Sequence, residues 1–356
     1  MTLLTPDGPA IPYTPPEVPN TNPYQLLTVF TPPEPNGCVL IHNWTGSFLN
    51  ALPRSFYDGA NIPDAWIETL WNRGTTIVSY GLTGTDLSHL GSGLWRGYDS
   101  DEYLNGWDHA WAERDAEYVV QKVRQLIRSG VIQGDLRKIG WAGVSSSAVA
   151  GLAVALGPDR ARASGSDQVR ESTRLAYAVA FEPYSFWPAF VDSFFAWHWP
   201  SGGSGALPAT AMVEVPEDQQ IASSPLQLLN DGVASGQAAT PVYVTAACPV
   251  ESTDFTFDVS TGIPTLRNAL SGIHPYWQML ALAKRMQQID PVAYAEDWRL
   301  VVQSGIELPP PDDDHHAVVS ALYGTEMQAD LLDWIEARCA GPAYLPGGSP
   351  GGSNAR

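Results

Sequence analysis

The sequence predicts an α/β fold in which a mostly parallel β-sheet is covered by helices on both faces. Short, nearly continuous apolar runs alternate with amphipathic segments along the chain. Strands that are buried on both faces of a parallel sheet have this continuous apolar character. Because no polar linker divides the middle of the chain, we expect one domain over residues 24–343, with a Pro-rich arm at 1–23 and a disordered, Gly-rich tail at 344–356.

The predicted strands are short apolar runs, several of them rich in β-branched residues and bounded by Gly, Pro or Asn. The first two are expected to be neighbours joined by the Pro-rich turn that follows Phe30. In chain order, the predicted strands are 26–30, 38–41, 75–80, 138–144, 175–181, 241–246 and 298–303.

The predicted helices have apolar residues at the 3.6-residue period of an α-helix, or are runs of small apolar residues that follow a strand. Asp64 can cap the first helix, and Gly74 can end it. The last helix begins with Thr325-Glu-Met-Gln328, the arrangement of a capping box. In chain order, the predicted helices are 64–72, 109–129, 146–156, 275–288 and 325–340.

Composition excludes several classes of protein. Thirty-eight Asp and Glu residues outnumber nineteen Lys and Arg residues, and the formal net charge is −19. Nucleic-acid binding needs clustered Lys and Arg, so we expect no nucleic-acid partner. No stretch approaches the roughly 18 apolar residues that cross a bilayer, and the N-terminus lacks a signal-peptide pattern. We therefore expect a cytoplasmic protein without a membrane span.

The three cysteines, Cys38, Cys248 and Cys339, are odd in number and widely spaced. This pattern fits neither a disulfide framework nor a structural zinc site. Cys38 begins an apolar run and Cys339 ends an amphipathic one, so the sequence favours buried thiols.

Three consecutive serines follow the predicted strand at 138–144, and a helix begins directly after the strand. A nucleophile on a strand-to-helix turn needs small residues two positions before and two positions after it, because a larger side chain would collide with the tight backbone. Ser145 meets this rule, with Gly143 before it and Ser147 after it. Ser146 and Ser147 each have a valine at one of these positions. Ser145 is therefore the candidate nucleophile.

At these residues the chain resembles the α/β-hydrolase superfamily, in particular its esterase and lipase branch. The nucleophile turn of that family usually reads Gly-x-Ser-x-Gly, and here Ser147 stands in place of the last glycine. The preceding Gly134-Asp-x-x-x-Ile-Gly140 is also similar to the family. The resemblance implies the α/β-hydrolase fold, a Ser-His-acid triad and an acyl-enzyme intermediate, without a metal ion or an organic cofactor.

The resemblance also implies an oxyanion hole at the end of the strand that begins near Cys38. In the esterase branch a His-Gly-Gly motif lies here, and its backbone amides stabilise the negative oxygen of the tetrahedral intermediate. This chain keeps His42 but has Asn43 and Trp44 in place of the glycines. The implied donors are the amides of Asn43 or Trp44 together with the amide of Ser146. We expect His42 itself to be structural.

The resemblance implies that the general base follows the last core strand. The segment Asp-His-His-Ala-Val-Val, which contains His315 and His316, resembles the family's histidine loop and favours His315. Two other interpretations remain for residues 312–316, a metal site and a solvated acidic turn. A metal site would need these adjacent side chains to converge on one ion through a tight loop.

The triad acid is expected after the predicted strand at 241–246. Glu251 is slightly favoured over Asp254, although neither has the family's usual spacing. Glu182, which follows the strand at 175–181, is a third candidate. Either type of carboxylate can orient the imidazole and stabilise its cation.

An aromatic-rich segment begins at residue 183, where the family inserts lids or caps. We expect a cap within 183–225 that covers an apolar acyl pocket. Core packing against the sheet explains the same aromatic residues nearly as well. The candidate substrate-binding residues are Trp187, Phe190, Phe194 and Trp197.

These patterns predict a serine hydrolase that cleaves small-molecule carboxylic esters. Ser145 would attack the ester carbonyl while His315 removes its proton. One alternative uses the same triad as an acyltransferase or amidase. The other is a non-catalytic member of the fold that serves in binding or as a scaffold. The sequence carries no signal for an oligomeric state.

Overall fold

The structure of the protein is a computed structural model. It describes almost all residues of the predicted strands and helices and parts of the segments between them. The described residues are 7–8, 11–12, 26–44, 65–80, 109–144, 146–159, 172–181, 183, 217–234, 240–249, 255–257, 264–266, 275–306 and 325–340.

The described strands form one eight-stranded sheet and one separate pair. Their bounds are β1 Ile11–Pro12, β2 Leu26–Phe30, β3 Val39–Trp44, β4 Thr76–Tyr80, β5 Ile139–Val144, β6 Tyr177–Phe181, β7 Val242–Pro249, β8 Phe255–Phe257, β9 Pro264–Leu266 and β10 Trp298–Ile306. The sheet has the order β1-β2-β4-β3-β5-β6-β7-β10, and β8 pairs with β9. β1 and β2 run antiparallel to their neighbours. The other six strands of the sheet are mutually parallel, namely β4, β3, β5, β6, β7 and β10.

The helices of the described ranges connect these strands and cover the sheet. Their bounds are α1 Ala65–Asn72, α2 His109–Arg128, α3 Ser146–Leu156, α4 Glu217–Ala222, α5 Pro225–Ala234, α6 Pro275–Ile289, α7 Pro291–Asp297 and α8 Thr325–Ala340. No helix in this part of the chain is long and apolar enough to cross a bilayer.

Helices α1 and α8 pack on one face of the sheet. Trp66 and Leu70 of α1 and Ile335 of α8 share a buried cluster with Leu40 of β3 and Val179 of β6. These residues are apolar and lie on the inward faces of their helices, so their burial supplies the hydrophobic driving force for this layer.

Helices α2, α3, α5 and α6 pack on the opposite face. Val120 of α2 and Val154 of α3 lie in one cluster with Ile41 of β3. Leu229 of α5 and Leu282 of α6 lie in a second cluster with α3 and with β6 and β7. The sheet is therefore covered on both faces, which confirms the predicted α/β class.

The expectation that the first two predicted strands are neighbours is wrong. β4 lies between β2 and β3, where Val78 is paired with Val29 on one side and with Ile41 on the other. All five residues of β4 are buried, so the strand has apolar surface to bury on both faces. The crossover from β3 through α1 returns β4 parallel to β3. The Pro-rich turn therefore connects β2 to β3 across the position of β4.

The residues of the N-terminal arm that the structure describes lie along the edge of the sheet. Ile11 pairs with Leu27 in an antiparallel register. The Asp7 N–H donates to the Val29 carbonyl at 3.0 Å. The Asp7 carboxylate accepts hydrogen bonds from the backbone N–H and the hydroxyl of Thr31. This edge strand did not follow from the sequence, because two residues carry no detectable period.

Helix α5 was also missed by the sequence analysis. It begins at Pro225, the last residue of the range in which a cap was expected, and Leu226 and Leu229 are buried in the core. An added Cβ at Gly232 would overlap the carbonyl oxygen of Leu156, so α5 packs directly on the end of α3. The short helix α4 and the turn at residues 223–224 interrupt the helical period here.

Gly74 ends α1 as the sequence predicts. Its φ of +98° lies in the left-handed region, and Thr75 N–H donates to the Leu70 carbonyl at 2.9 Å, which closes the helix. An added Cβ at Gly74 would lie 2.6 Å from the Glu34 carbonyl oxygen. The end of α1 is therefore pressed against the Pro-rich turn before β3.

Gly74 and Gly130 provide a matched pair for a stability test. Gly130 ends α2 with a φ of +76°, but an added Cβ there meets no atom within 4 Å. Gly130→Ala should lower the free energy of unfolding by about 1 kcal/mol through its backbone conformation alone. Gly74→Ala adds a steric overlap and should cost about 2–3 kcal/mol, as measured by urea denaturation. Equal losses for the two variants would contradict the described contact.

Candidate active site

Ser145 falls in the sequence between a strand and a helix. β5 ends at Val144 and α3 begins at Ser146, so a single residue separates the two elements. Ser145 itself is outside the described residues. The backbone on both sides of it nevertheless has the strand-turn-helix order in which a nucleophile is lifted above the edge of a sheet.

Gly143 lies against the first turn of α3. An added Cβ at this position would lie 2.6 Å from the Ser147 carbonyl carbon and 2.7 Å from the Ala148 nitrogen. Both are backbone atoms, so neither can move away without shifting the helix. Position 143 therefore accepts only glycine in this geometry, which is the steric rule that singled out Ser145 in the sequence.

Ser147 is fully buried beneath the turn. Its Oγ would lie 2.5 Å from a Cβ at Gly143, so the hydroxyl points into the narrow space between β5 and α3. Among the described residues, this hydroxyl has no hydrogen-bond partner. A side chain in this position is out of reach of a substrate.

Trp141 holds the first turn of α3 against the sheet. Its indole N–H donates to the Ser147 carbonyl at 3.1 Å. Its ring contacts Tyr80 of β4 at a centroid distance of 5.1 Å, and it occupies the space that a side chain at Gly151 would need. The indole therefore ties β4, β5 and α3 together around the turn at Ser145.

The backbone of the candidate oxyanion residues is paired with the end of β5, which precedes Ser145. In the parallel register of β3 and β5, Asn43 is paired with Gly143 and Trp44 with Val144. Both residues are inside β3, which extends to Trp44, whereas the predicted strand ended at residue 41.

The end of β3 nevertheless leaves one of its sides open within the described ranges. Pairing of β3 with β4 ends at His42 and Ser79, while pairing with β5 continues to Trp44. Successive residues of a parallel strand direct their backbone groups to opposite neighbours. One of the two amides of Asn43 and Trp44 therefore points away from β5, past the end of β4.

His42 is a structural residue that joins β3 to β5. It is fully buried, and its Nδ1 lies 3.0 Å from the Ala142 carbonyl oxygen. Since a carbonyl can only accept, Nδ1 carries the proton. The ring also packs edge-on against Trp66 at 5.8 Å. Burial lowers the pKa of His42 to about 4, so the imidazole is neutral near neutral pH.

The other predicted triad residues follow strands of the same parallel set. Glu182 follows β6, Glu251 and Asp254 follow β7, and His315 lies between β10 and α8. All four lie outside the described residues, as does His316. Since β5, β6, β7 and β10 are mutually parallel neighbours, their carboxyl ends lie at one edge of the sheet. Each predicted segment therefore starts at the same edge of the sheet as the C-terminal end of β5, which precedes Ser145 in the chain.

The predicted substrate-binding aromatics also lie outside the described residues. They are Trp187, Phe190, Phe194 and Trp197. Nearby, Phe181 at the end of β6 packs against Trp66 at a centroid distance of 5.6 Å, and both side chains are buried. These two rings form core beneath the edge of the sheet. Within the described ranges, no group of three or more His, Cys, Asp or Glu side chains could hold a metal ion.

Comparison with known proteins gives relatives by structure alone. No protein-family model matches the chain, and no curated protein matches it in sequence. The bifunctional GH43-CE protein of Bacteroides eggerthii has a TM-score of 0.52 and 12% identity over 89% of this chain. The match covers 36% of that protein, so the chain spans about a third of its length.

Two further solved structures are similar over most of their own length. A truncated form of a carbohydrate esterase from gut microbiota has a TM-score of 0.50 and 10% identity, over 89% of this chain and 91% of the other. Thermogutta terrifontis esterase 2, phosphoramylated by tabun, has a TM-score of 0.49 and 14% identity, over 88% and 86%. With its strand order and its similarity to these structures, the chain has the α/β-hydrolase fold.

The neutral state of His42 predicts a specific loss of stability in acid. Between about pH 6.5 and pH 4 the unfolded chain binds a proton at His42 that the folded chain does not bind, so stability falls as the pH falls. His42→Asn keeps an N–H donor for the Ala142 carbonyl but does not titrate. Relative to this variant, the wild-type free energy of unfolding should fall by about 3 kcal/mol between about pH 7 and about pH 4.

Urea denaturation of both proteins across this pH range measures the difference. Because other titrating groups are common to the two proteins, their contributions cancel. A constant gap between wild type and His42→Asn would show that His42 is not buried in its neutral form.

Proposed function

We propose that the protein is a serine hydrolase that cleaves carboxylic esters, with Ser145 as its nucleophile. The observation that carries this proposal is the contact between Gly143 and the first turn of α3. A glycine is required there because α3 begins three residues later and its first turn packs against the end of β5. The α/β-hydrolase fold, which this chain shares with a carbohydrate esterase, supports the same chemistry.

In the proposed reaction, the Ser145 hydroxyl attacks the ester carbonyl while His315 accepts its proton. A carboxylate, Glu251 in preference to Asp254 or Glu182, orients the imidazole and stabilises its positive charge. His315 then protonates the leaving alcohol, and an acyl group remains on Ser145. Attack by water, again assisted by His315, releases the acid and restores the enzyme. No metal or organic cofactor takes part.

Backbone amides would stabilise the oxyanion of the tetrahedral intermediate. The amide of Ser146 is the first of α3, an eleven-residue helix without an acidic residue in its first turn, so the positive end of the helix dipole is not offset by a local carboxylate. The second donor is assigned to Asn43 or Trp44. Support for it comes from the backbone group of β3 that points away from β5 beyond the end of β4.

The proposal is tested first on adjacent serines. Hydrolysis of p-nitrophenyl acetate and p-nitrophenyl butyrate should fall by at least about a thousandfold in kcat for Ser145→Ala. Ser147→Ala is the matched control, because the Ser147 hydroxyl is buried and has no partner among the described residues. It should keep kcat within a few-fold of wild type. Equal activity of Ser145→Ala and wild type would overturn the assignment.

A second pair of neighbours tests the general base. His315→Ala should lower kcat by about a thousandfold or more, and His316→Ala should leave it within a few-fold. Glu251→Gln and Asp254→Asn, assayed in parallel, identify the acid as the variant with the larger loss of kcat. A larger loss for His316→Ala than for His315→Ala would reverse the assignment of the base. An inactive wild type would instead favour a non-catalytic member of the fold.

A further inference from the structure

Two buried cysteines contact each other although they lie near opposite ends of the described chain. Cys38 directly precedes β3, and Cys339 lies in the last turn of α8. Both are free thiols, with 2% and 8% of their surfaces exposed, and they belong to the same core cluster. Each thiol shifts the pKa of the other, so the two side chains lie within interaction range. The start of β3 and the end of α8 are therefore next to each other in the core.

The backbones on both sides of this contact are held in place. The Cys38 carbonyl accepts a hydrogen bond from the Thr76 N–H at 2.9 Å, which belongs to the ladder between β3 and β4. Beside Cys339, the Arg338 guanidinium pairs with Asp297 at 3.6 Å and so ties α8 to α7. The two thiols are thus kept adjacent by the fold itself.

Aromatic side chains of the same core cluster pack next to the cysteine pair. Tyr177 is fully buried next to Cys339, and its ring packs edge-on against Trp334 at 6.0 Å. An added side chain at Gly140 would overlap the Tyr177 ring. The pair is therefore part of the packed core, with Cys339 the more exposed of the two.

The two thiols differ in acidity. Interaction with the Cys339 thiol lowers the pKa of Cys38, and the positive charge of Lys138 acts in the same direction, against burial and the nearby Asp135. The same interaction and burial raise the pKa of Cys339 well above its ordinary value. Cys38 is therefore the thiol that we expect to ionise first.

We propose that Cys38 and Cys339 form a redox site that closes into a disulfide when the folded protein meets a peroxide. The Cys38 thiolate attacks one peroxide oxygen, the O–O bond breaks, and Cys38 becomes a sulfenic acid as one water leaves. The Cys339 sulfur then attacks the Cys38 sulfur and expels a second water. In total, two thiols lose two protons and two electrons, and hydrogen peroxide is reduced to two waters.

The bond would join two elements that are adjacent in sequence to segments of the proposed active site. β3 leads from Cys38 to Asn43 and Trp44, and α8 follows the segment that contains His315. A disulfide here closes a loop that contains most of the sheet, so it would restrict the unfolded chain strongly. The inference does not depend on the proposed hydrolase activity, because its chemistry needs only the two sulfur atoms.

The experiment uses Cys248→Ser, which leaves Cys38 and Cys339 as the only cysteines of the 356-residue chain. The folded variant is treated with hydrogen peroxide, quenched with catalase and denatured, and its free thiols and intact mass are measured. We expect both thiols to disappear, the mass to fall by two hydrogen atoms, and dithiothreitol to restore both. Cys38→Ser in the same background is the control and should form no intramolecular bond.

Wild-type protein provides a second measurement in case Cys248→Ser folds poorly. Its oxidised tryptic digest should contain a disulfide-linked pair of peptides with Cys38 and Cys339. Three results would overturn the proposal: both thiols persist, Cys38 reaches the sulfinic acid without cross-linking, or Cys248 takes the place of either partner. Cross-linking that is as fast in guanidinium chloride as in buffer would also overturn it, because the fold would then contribute nothing.

Discussion

The close approach of Gly143 to the first turn of α3 is the contact on which the candidate site depends. It places the backbone of β5 against Ser147 and Ala148, and only one residue of the chain separates β5 from α3. Trp141 reinforces this arrangement with a hydrogen bond to the Ser147 carbonyl from inside the core. The end of β5 and the first turn of α3 are thus one packed unit, and Ser145 is the residue that joins them in the sequence.

The parallel sheet places β5 next to the strands that precede the other predicted site residues in the chain. His42 joins β3 to β5 through the Ala142 carbonyl, three residues before the turn. On the other side, β6, β7 and β10 follow β5 in order and in parallel. A parallel sheet brings successive loops to one edge, so residues from distant parts of the sequence can meet without any local signal. In the same way, the packing of α8 on the sheet brings Cys339 to Cys38.

Local patterns in the sequence predicted the local structure well. The bounds of 146–156 and 325–340 agree with α3 and α8, because small-residue and capping signals are encoded within the segments themselves. The pairing of β2 with β4 was missed, because the choice of a neighbour depends on apolar surface elsewhere in the chain. The Cys38–Cys339 contact was missed for the same reason. Sequence reasoning identified two buried thiols but had no means of placing them together.

The central claim is that Ser145 is an activated nucleophile at the edge of the sheet. It is tested most directly by reaction of the folded protein with a fluorophosphonate, followed by digestion and mass spectrometry of the labelled peptide. We expect one covalent adduct, located on Ser145, that does not form after heat denaturation. Labelling of Ser146, Ser147 or a residue elsewhere would contradict the role of Ser145, and so would the absence of any adduct on the folded protein.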